Sequence, residues 1–320
     1  LKMDFLGLRT LTVIRDAETA VQKHHPEFSI QKLDYDDPET YKMLGQGDTE
    51  GVFQLESSGM KQVLVGLQPQ NLEDVIALIS LYRPGPMDSI PTYLRNRHEP
   101  DKISYKTPQL AHILDVTNGC IVYQEQVMQI FRELAGFSFG QADNVRRAMS
   151  KKKHAVMEAE REHFVHGCTE PGHECPGCVA NGISEKVANE IYDEMSSFAS
   201  YAFNKSHAAC YAYVAFQTAY LKCHYPSEFM AALLTSVLDN TDKVIEYSGE
   251  CARLGIKVLP PDVNVSNGGF TADGSGQIRF GLNAVKNVGR NLIENVVKGR
   301  QNKPYTSLYD FCKRMHGNEL

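Results

Sequence analysis

The sequence predicts a mainly α fold: a multi-helical body with a small α+β, helix–hairpin–helix module at the C-terminal end. Three observations carry that expectation. Apolar residues recur at helical spacing, as in Val127, Ile130, Phe131 and Leu134. Residues that start and stop helices stand at the ends of these stretches. The composition then shifts at Leu259-Pro260-Pro261-Asp262, beyond which glycines punctuate short β-forming runs. A domain boundary is expected near residue 258.

Met3-Asp4-Phe5-Leu6 reads as a short strand, and a helix is expected to begin near Thr10. Asp-Asp-Pro, Gly-Gln-Gly-Asp and Ser-Ser-Gly break the stretch from Asp34 to Gly59 into turns and short helices. The apolar run Leu72–Leu81 stops at Tyr82-Arg83-Pro84-Gly85-Pro86, where two prolines around a glycine cannot continue a helix and present Arg83 on a rigid turn. A helix after Tyr123 ends at Gly136, and a second spans Gln141–Met149. Further helices are expected over Ala155–Val165, Ser184–Ser197, Ser206–His224, Pro226–Leu238 and Asn240–Leu254, with Ser206 and Asn240 as N-caps and Gly255 closing the last. Two strands around Phe270 and Ile278–Gly281 precede a small helix–turn–helix over Ala284–Gly299.

The 320 residues are 42% hydrophobic and 22% charged, an ordinary globular balance with room for about two domains. No apolar run approaches the ~18 residues that cross a membrane, and no signal-peptide pattern opens the chain. A start at Leu1 instead of Met points to an excerpt of something longer. Eight mostly scattered cysteines make a poor disulfide framework, which favours a reducing, cytoplasmic compartment. With a net charge of −6, any nucleic-acid surface has to be local.

Such a surface is visible. Five of the eight residues from Arg146 to Lys153 are basic (Arg146, Arg147, Lys151, Lys152, Lys153). One or two of them suit a helix C-terminus, where the dipole favours cations, but not five. Adjacent arginines suit bidentate capture of phosphate oxygens, and lysines add point charges. A second cluster, Phe203-Asn204-Lys205-Ser206-His207, opens a long apolar helix, so backbone N–H groups and Lys205 converge on a potential anion. Simple capping by Ser206, with Lys205 and His207 exposed, fits the same residues. Lys286, Val288, Gly289 and Arg290 lie in what has the form of a hairpin turn, whose backbone N–H groups can grip a nucleic-acid phosphate without reading sequence. Asp4, a carboxylate inside an apolar strand, fits metal ligation, pairing with Lys2, or a solvent-facing edge. Cys168, His173, Cys175 and Cys178 could hold a structural Zn²⁺ tetrahedrally, with His166 as a substitute for His173, and free thiols in a mobile loop fit equally. A zinc-deaminase arrangement does not fit, because His173 and Cys175 nearly touch in sequence.

Taken together, Lys2-Met-Asp4-Phe-Leu-Gly-Leu, Gly51-Val-Phe-Gln-Leu-Glu-Ser, Tyr82-Arg-Pro-Gly-Pro86, Tyr123-Gln-Glu-Gln-Val-Met128, Arg146-Arg-Ala-Met-Ser-Lys-Lys-Lys153 and Phe203-Asn-Lys-Ser-His207 resemble the alpha subunit of bacterial DNA polymerase III, a family C replicative polymerase. The resemblance covers nearly the whole chain, in the family's order. It implies the end of the palm over residues 1–10, fingers over 11–257 and the start of a helix–hairpin–helix module over 258–320; the candidate zinc loop at 166–180 looks like an insertion in the fingers, about whose metal the family says nothing. It implies attack of a primer 3′-hydroxyl on the alpha-phosphate of an incoming deoxynucleoside triphosphate, with two Mg²⁺ ions. By resemblance Asp4 matches a catalytic metal ligand and Lys2 meets the triphosphate. Arg83, Arg146, Arg147 and Lys151 look like phosphate clamps, and Asn204, Lys205 and His207 look like part of the same pocket, with Tyr201 against the base or sugar. Lys152, Lys153 and the hairpin are expected to face primer–template DNA. The sliding clamp and proofreading exonuclease would dock mostly outside this chain. Departures are also visible. No segment supplies the Asp-x-Asp pair that completes the metal site, so the isolated chain is expected to be inactive. Ser150, Ser200, Ala202 and Asn287 stand where the family often has glycine. The competing expectation is a non-catalytic nucleic-acid-binding or assembly module whose basic block grips backbone phosphates.

Overall fold

A computed structural model of the chain describes residues 7–150, 154–199 and 202–316. The expected strand at Met3–Leu6, together with Lys2, Asp4, Lys151, Lys152, Lys153 and Tyr201, lies outside the described residues. Within them the chain forms sixteen α-helices and three short strands, so the mainly α expectation holds. It divides into two compact units, one of residues 1–61 and 214–320 and the other of residues 62–213.

The helices in chain order are α1 (Arg9–Val21), α2 (Pro38–Gly45), α3 (Ser58–Leu67), α4 (Leu72–Leu81), α5 (Ile90–His98), α6 (Ala111–Leu114), α7 (Gln124–Ala135) and α8 (Phe139–Ser150). There follow α9 (His154–His166), α10 (Gly177–Ala180), α11 (Glu185–Ala199), α12 (Lys205–His224), α13 (Pro226–Ser236), α14 (Thr241–Arg253), α15 (Arg290–Asn302) and α16 (Leu308–Met315). The strands are β1 (Val258–Leu259), β2 (Thr271–Ala272) and β3 (Ile278–Arg279).

In the middle unit, α7, α8, α9 and α11 bury one apolar face each around Phe131. Its ring meets Phe164 edge-on at 5.0 Å and Tyr192 at 5.9 Å, the T-shaped geometry that aromatic quadrupoles favour. Gly136 at φ +76° ends α7, as the sequence predicts. Asn71 caps α4 by accepting from the Asp74 N–H, and the buried Asp74 carboxylate is held by Arg97 at 3.2 Å.

In the other unit, Val13, Ile14, Ala17 and Val21 of α1 pack on Phe229–Leu234 of α13, and Phe270 and Ile278 extend that core onto the sheet. Asn240 caps α14 by accepting from the Lys243 N–H, and Gly255 adopts φ +74° just past that helix. The strand order is β1-β3-β2, with β1 parallel to β3 and β2 antiparallel to it. β1 is not visible in the sequence, because two residues ahead of Pro260-Pro261 read as linker. The expected helix–turn–helix over Ala284–Gly299 needs correction: its first arm is only a 3₁₀ turn, Leu282–Ala284, and its second is α15. Asn287 takes φ +63°, the left-handed conformation asparagine tolerates better than most residues, so it fills a glycine's place without losing the turn. The sequence also hides no cue for α16: Ser307 accepts from the Asp310 N–H at its start. A Cβ on Gly299 would press on the Tyr305 hydroxyl, which donates to the Val296 carbonyl, so a side chain there would have to displace that hydrogen bond.

One ion cluster in this unit is costly to disturb. Lys222 of α12 is buried, and its ammonium donates to Glu250 Oε1 at 2.7 Å and to the Glu50 carbonyl at 2.9 Å. Arg253 binds both Glu250 oxygens at 2.7 Å. Burial works to raise the Glu250 carboxyl, but hydrogen bonds from Arg253 and Lys222 outweigh it and hold it below its ordinary range. Lys222→Ala strips a buried carboxylate of one cation and should destabilise the fold by about 3–5 kcal/mol in denaturant melts. A depressed folded-state value means that Glu250 stabilises the fold above the unfolded carboxyl value, about 4.3, and loses that contribution as pH falls below it. Glu250→Gln should flatten the acid limb of the stability–pH curve.

Candidate functional site

The site grows from one junction in the middle unit. Tyr123, extended at φ −108°, precedes α7 and pairs with Phe203 in an isolated parallel bridge. Gln124 N–H donates to the Phe203 carbonyl at 2.9 Å, and Phe203 N–H to the Val122 carbonyl at 3.3 Å. Gln126 underpins the corner from within. Its buried amide oxygen accepts from the Val122 and Tyr123 N–H groups at 2.9 Å, while its nitrogen donates to the Ile113 carbonyl and the Thr117 hydroxyl.

Several of the side chains expected at a site assemble on this corner. Arg83 leaves the turn after α4, where Gly85 at φ +104° sits between two prolines, and its guanidinium lies 4.1 Å over the Phe203 ring. Burial pulls its pKa below the usual arginine value. Arg146 donates to Gln124 Oε1 at 3.0 Å, and Gln124 Nε2 donates to the Ala202 carbonyl at 3.0 Å, so one glutamine ties the arginine to the Phe203 segment. Asn204 Nδ2 donates to Glu125 Oε1 at 2.8 Å. Lys205 reaches Glu73 at 2.9 Å and lies 5.3 Å from the Tyr123 ring centre. His207 packs between Phe203 and Tyr211, with ring centres at 5.3 and 4.5 Å.

A cleft of about 480 Å³ opens beside the corner, lined by Gln124, Glu125, Arg132, Glu133, Phe139, Asp143, Arg146 and Asn204 among others. That volume suits a nucleotide-sized ligand. Arg146 and Asn204, read from different sequence stretches, thus line one cleft. Arg147 is more exposed and pairs with Asp143 at 2.7 Å.

Three features went unread in the sequence. Asn204, not Ser206, caps α12: its Oδ1 accepts from the His207 N–H at 2.9 Å, and Ser206 already lies inside the first turn. Asparagine one position earlier was an equally good cap by type, so sequence alone could not choose. Glu125 also accepts from the Lys205 N–H at 3.1 Å, so a carboxylate already serves the helix end expected to hold an anion. Asp143 binds both arginines, and the Arg146 hydrogen bond, opposed by burial, holds its carboxyl below the ordinary range. The i,i+3 and i,i+4 spacing of Asp143 to Arg146 and Arg147 was the available signal.

Elsewhere, Lys286 is exposed, Gly289 precedes α15, and Val288 packs with Ile293 and Val296. Arg290 pairs with Asp239 at 3.2 Å, with both side chains exposed. Cys168 and Cys175 exchange backbone N–H···O bonds of 2.9 Å, and a Cβ on Gly177 would sit 2.3 Å from the Gly167 nitrogen. Cys175 and Cys178 are buried and His173 is exposed. Among the described residues, the cluster of three or more close metal-ligand atoms lies elsewhere, so these cysteines and His173 do not form one.

Gln126→Leu would orphan buried backbone groups on both sides of the corner. It should cost about 3 kcal/mol or more, at ~1–3 kcal/mol per unsatisfied group, and speed amide exchange at Val122 and Tyr123.

Comparison with known proteins matches the sequence to a family. Residues 10–172 match the profile of the bacterial DNA polymerase III alpha subunit finger domain, and residues 255–320 match a helix–hairpin–helix motif. Relatives named DNA polymerase III subunit alpha include those of Bacillus subtilis (strain 168), 45% identical over 98% of this chain, and Thermus aquaticus, 49% identical over 98%. A third, from Xylella fastidiosa (strain Temecula1 / ATCC 700964), is 47% identical over the whole chain. The chain covers 27%, 26% and 26% of these relatives, about a quarter of their length. With a profile match over half its residues, the chain belongs to the bacterial DNA polymerase III alpha subunit family, as part of its finger region and a helix–hairpin–helix segment.

Proposed function

We propose that this chain forms the fingers of a replicative DNA polymerase and holds the triphosphate of an incoming deoxynucleotide, with its C-terminal module on primer–template DNA. Convergence carries this reading: Arg83, Arg146, Asn204 and Lys205 come from well-separated stretches, yet all engage the Tyr123–Glu125 and Phe203 segments. Arg146 lines the nucleotide-sized cleft, and Arg83 and Lys205 lie on the same corner beside it, an arrangement that suits a polyanion better than a packing role.

Arg146 and Arg147 pair with Asp143, and Lys205 pairs with Glu73. A triphosphate would take the place of those carboxylates, so these three cations exchange one anionic partner for another. Arg83, stacked on Phe203, is placed as a further clamp, and His207 and Tyr201 as neighbours of sugar or base. Lys2 and Lys151 are assigned to the triphosphate, and Lys152 and Lys153 to DNA. Lys286, Arg290 and the backbone at Val288 and Gly289 are assigned to DNA phosphates. Asp4 is assigned to the two Mg²⁺ ions of the full-length enzyme, which would neutralise phosphate charge and activate the primer hydroxyl. The remaining aspartates, the sliding clamp and exonuclease contacts belong to regions outside residues 1–320, in a cytoplasmic, nucleoid-associated protein. A structural Zn²⁺ on Cys168, His173, Cys175 and Cys178 is a further part of the proposal, supported by the tight Gly167–Gly177 hairpin and requiring the side chains to turn inward.

In the full-length protein, Arg146→Ala should raise KM for the incoming nucleotide about 10- to 100-fold, the loss of a charge-assisted phosphate contact. DNA affinity should hold. An unchanged KM together with weakened, steeply salt-dependent DNA binding would instead establish the backbone-gripping module.

A further inference from the structure

Outside the cleft, in the unit built from residues 1–61 and 214–320, the end of α12 meets the start of α2. Glu39 lies in the first turn of α2, and Cys223 and His224 are the last residues of α12. Their ligand atoms all lie within 4.8 Å of one another, a grouping that stands out among the described residues. His224 Nε2 is 2.9 Å from Asp37 Oδ2, and Asp37 is itself fixed as the N-cap of α2 by the Thr40 N–H at 2.8 Å.

We propose that Glu39, Cys223 and His224 bind a divalent transition-metal ion, with Asp37 orienting the histidine. The donor set of one thiol, one imidazole and one carboxylate is that of zinc. Imidazole ligands almost always give their second N–H to a carboxylate, and Asp37 stands where that partner is needed. With Nε2 engaged by Asp37, Nδ1 faces Glu39 Oε2 at 4.0 Å. That gap is too long for a hydrogen bond, but it approaches the ~3.3 Å between nitrogen and oxygen ligands on a tetrahedral zinc with bonds near 2.1 Å. Glu39 is exposed and free to swing through the difference.

The surroundings favour a cation as well. Asp37, Glu39 and Asp48 place negative charge around the Cys223 sulfur. Thr40 is fully buried, and its hydroxyl oxygen lies beside Cys223 and Asp37 without a well-formed hydrogen bond to either. The carbonyl end of a twenty-residue helix, negative by its dipole, points at the same place. Three protein ligands leave the fourth position to water, so the ion would be exchangeable and would clamp α2 to α12.

The alternative is a plain Asp37–His224 ion pair, which requires neither Cys223 nor Glu39. Metal content separates the two. The full-length protein, stripped with a chelator and reloaded with Zn²⁺, should retain one equivalent more after gel filtration than Cys223→Ser, His224→Gln or Glu39→Gln. Chelation should lower the melting temperature of the parent more than that of the variants. The hairpin variant Cys175→Ser should keep the extra equivalent. Equal zinc in the parent and Cys223→Ser would overturn the site. If Cys223→Ser fails to fold, Glu39→Gln decides on its exposed position, with equal zinc again overturning it.

Discussion

The backbone bridge between Val122–Gln124 and Phe203 is what the cleft depends on. Two main-chain hydrogen bonds set the Phe203 segment against the start of α7, and everything polar nearby is positioned by one side or the other. Phe203 supplies the face for Arg83, Gln124 the arm for Arg146, Glu125 the anchor for Asn204 and the Lys205 backbone. Gln126 makes the bridge possible, because an extended residue entering a helix leaves N–H groups that must find partners away from water. A fully satisfied buried amide provides them. The polar site is therefore fixed from within, by one side chain that never faces a ligand.

The same charge arrangement recurs in both units: Lys222 pairs with Glu250 and Asp48, and Arg146 and Arg147 share Asp143. The two arrangements differ in depth. The Lys222 cluster is closed and structural, whereas the Asp143 pairs border an open cleft, where solvent screening weakens the carboxylate's hold. Asp143 thus offsets repulsion between the neighbouring Arg146 and Arg147.

Much of the helical framework was legible in the sequence, since caps and period are local. Gly136, Asn240 and Gly255 act where their residue types indicate. The short strand β1 and the shrunken first arm of the C-terminal hairpin were not legible, because a two-residue strand exists only through its partner and a 3₁₀ turn has no period to read. At the site, residue types revealed the cations but not their counter-ions. Glu73 and Glu125 look like ordinary surface acids until tertiary contacts bring them to Lys205 and Asn204, whereas Asp143 was signalled by its i,i+3 and i,i+4 spacing to the arginines. The Glu39–Cys223–His224 grouping was equally invisible, since its members are far apart in the chain.

The turn that carries Arg83 has a consequence for how tightly anything can be grasped there. Pro84 and Pro86 each lock one backbone torsion, and Gly85 occupies a region that side-chain-bearing residues avoid. The loop would surrender little conformational freedom on engaging a partner, because its own backbone removes most of that freedom beforehand. Its guanidinium is thus offered already aimed, and the ordering cost of capture falls mainly on the ligand.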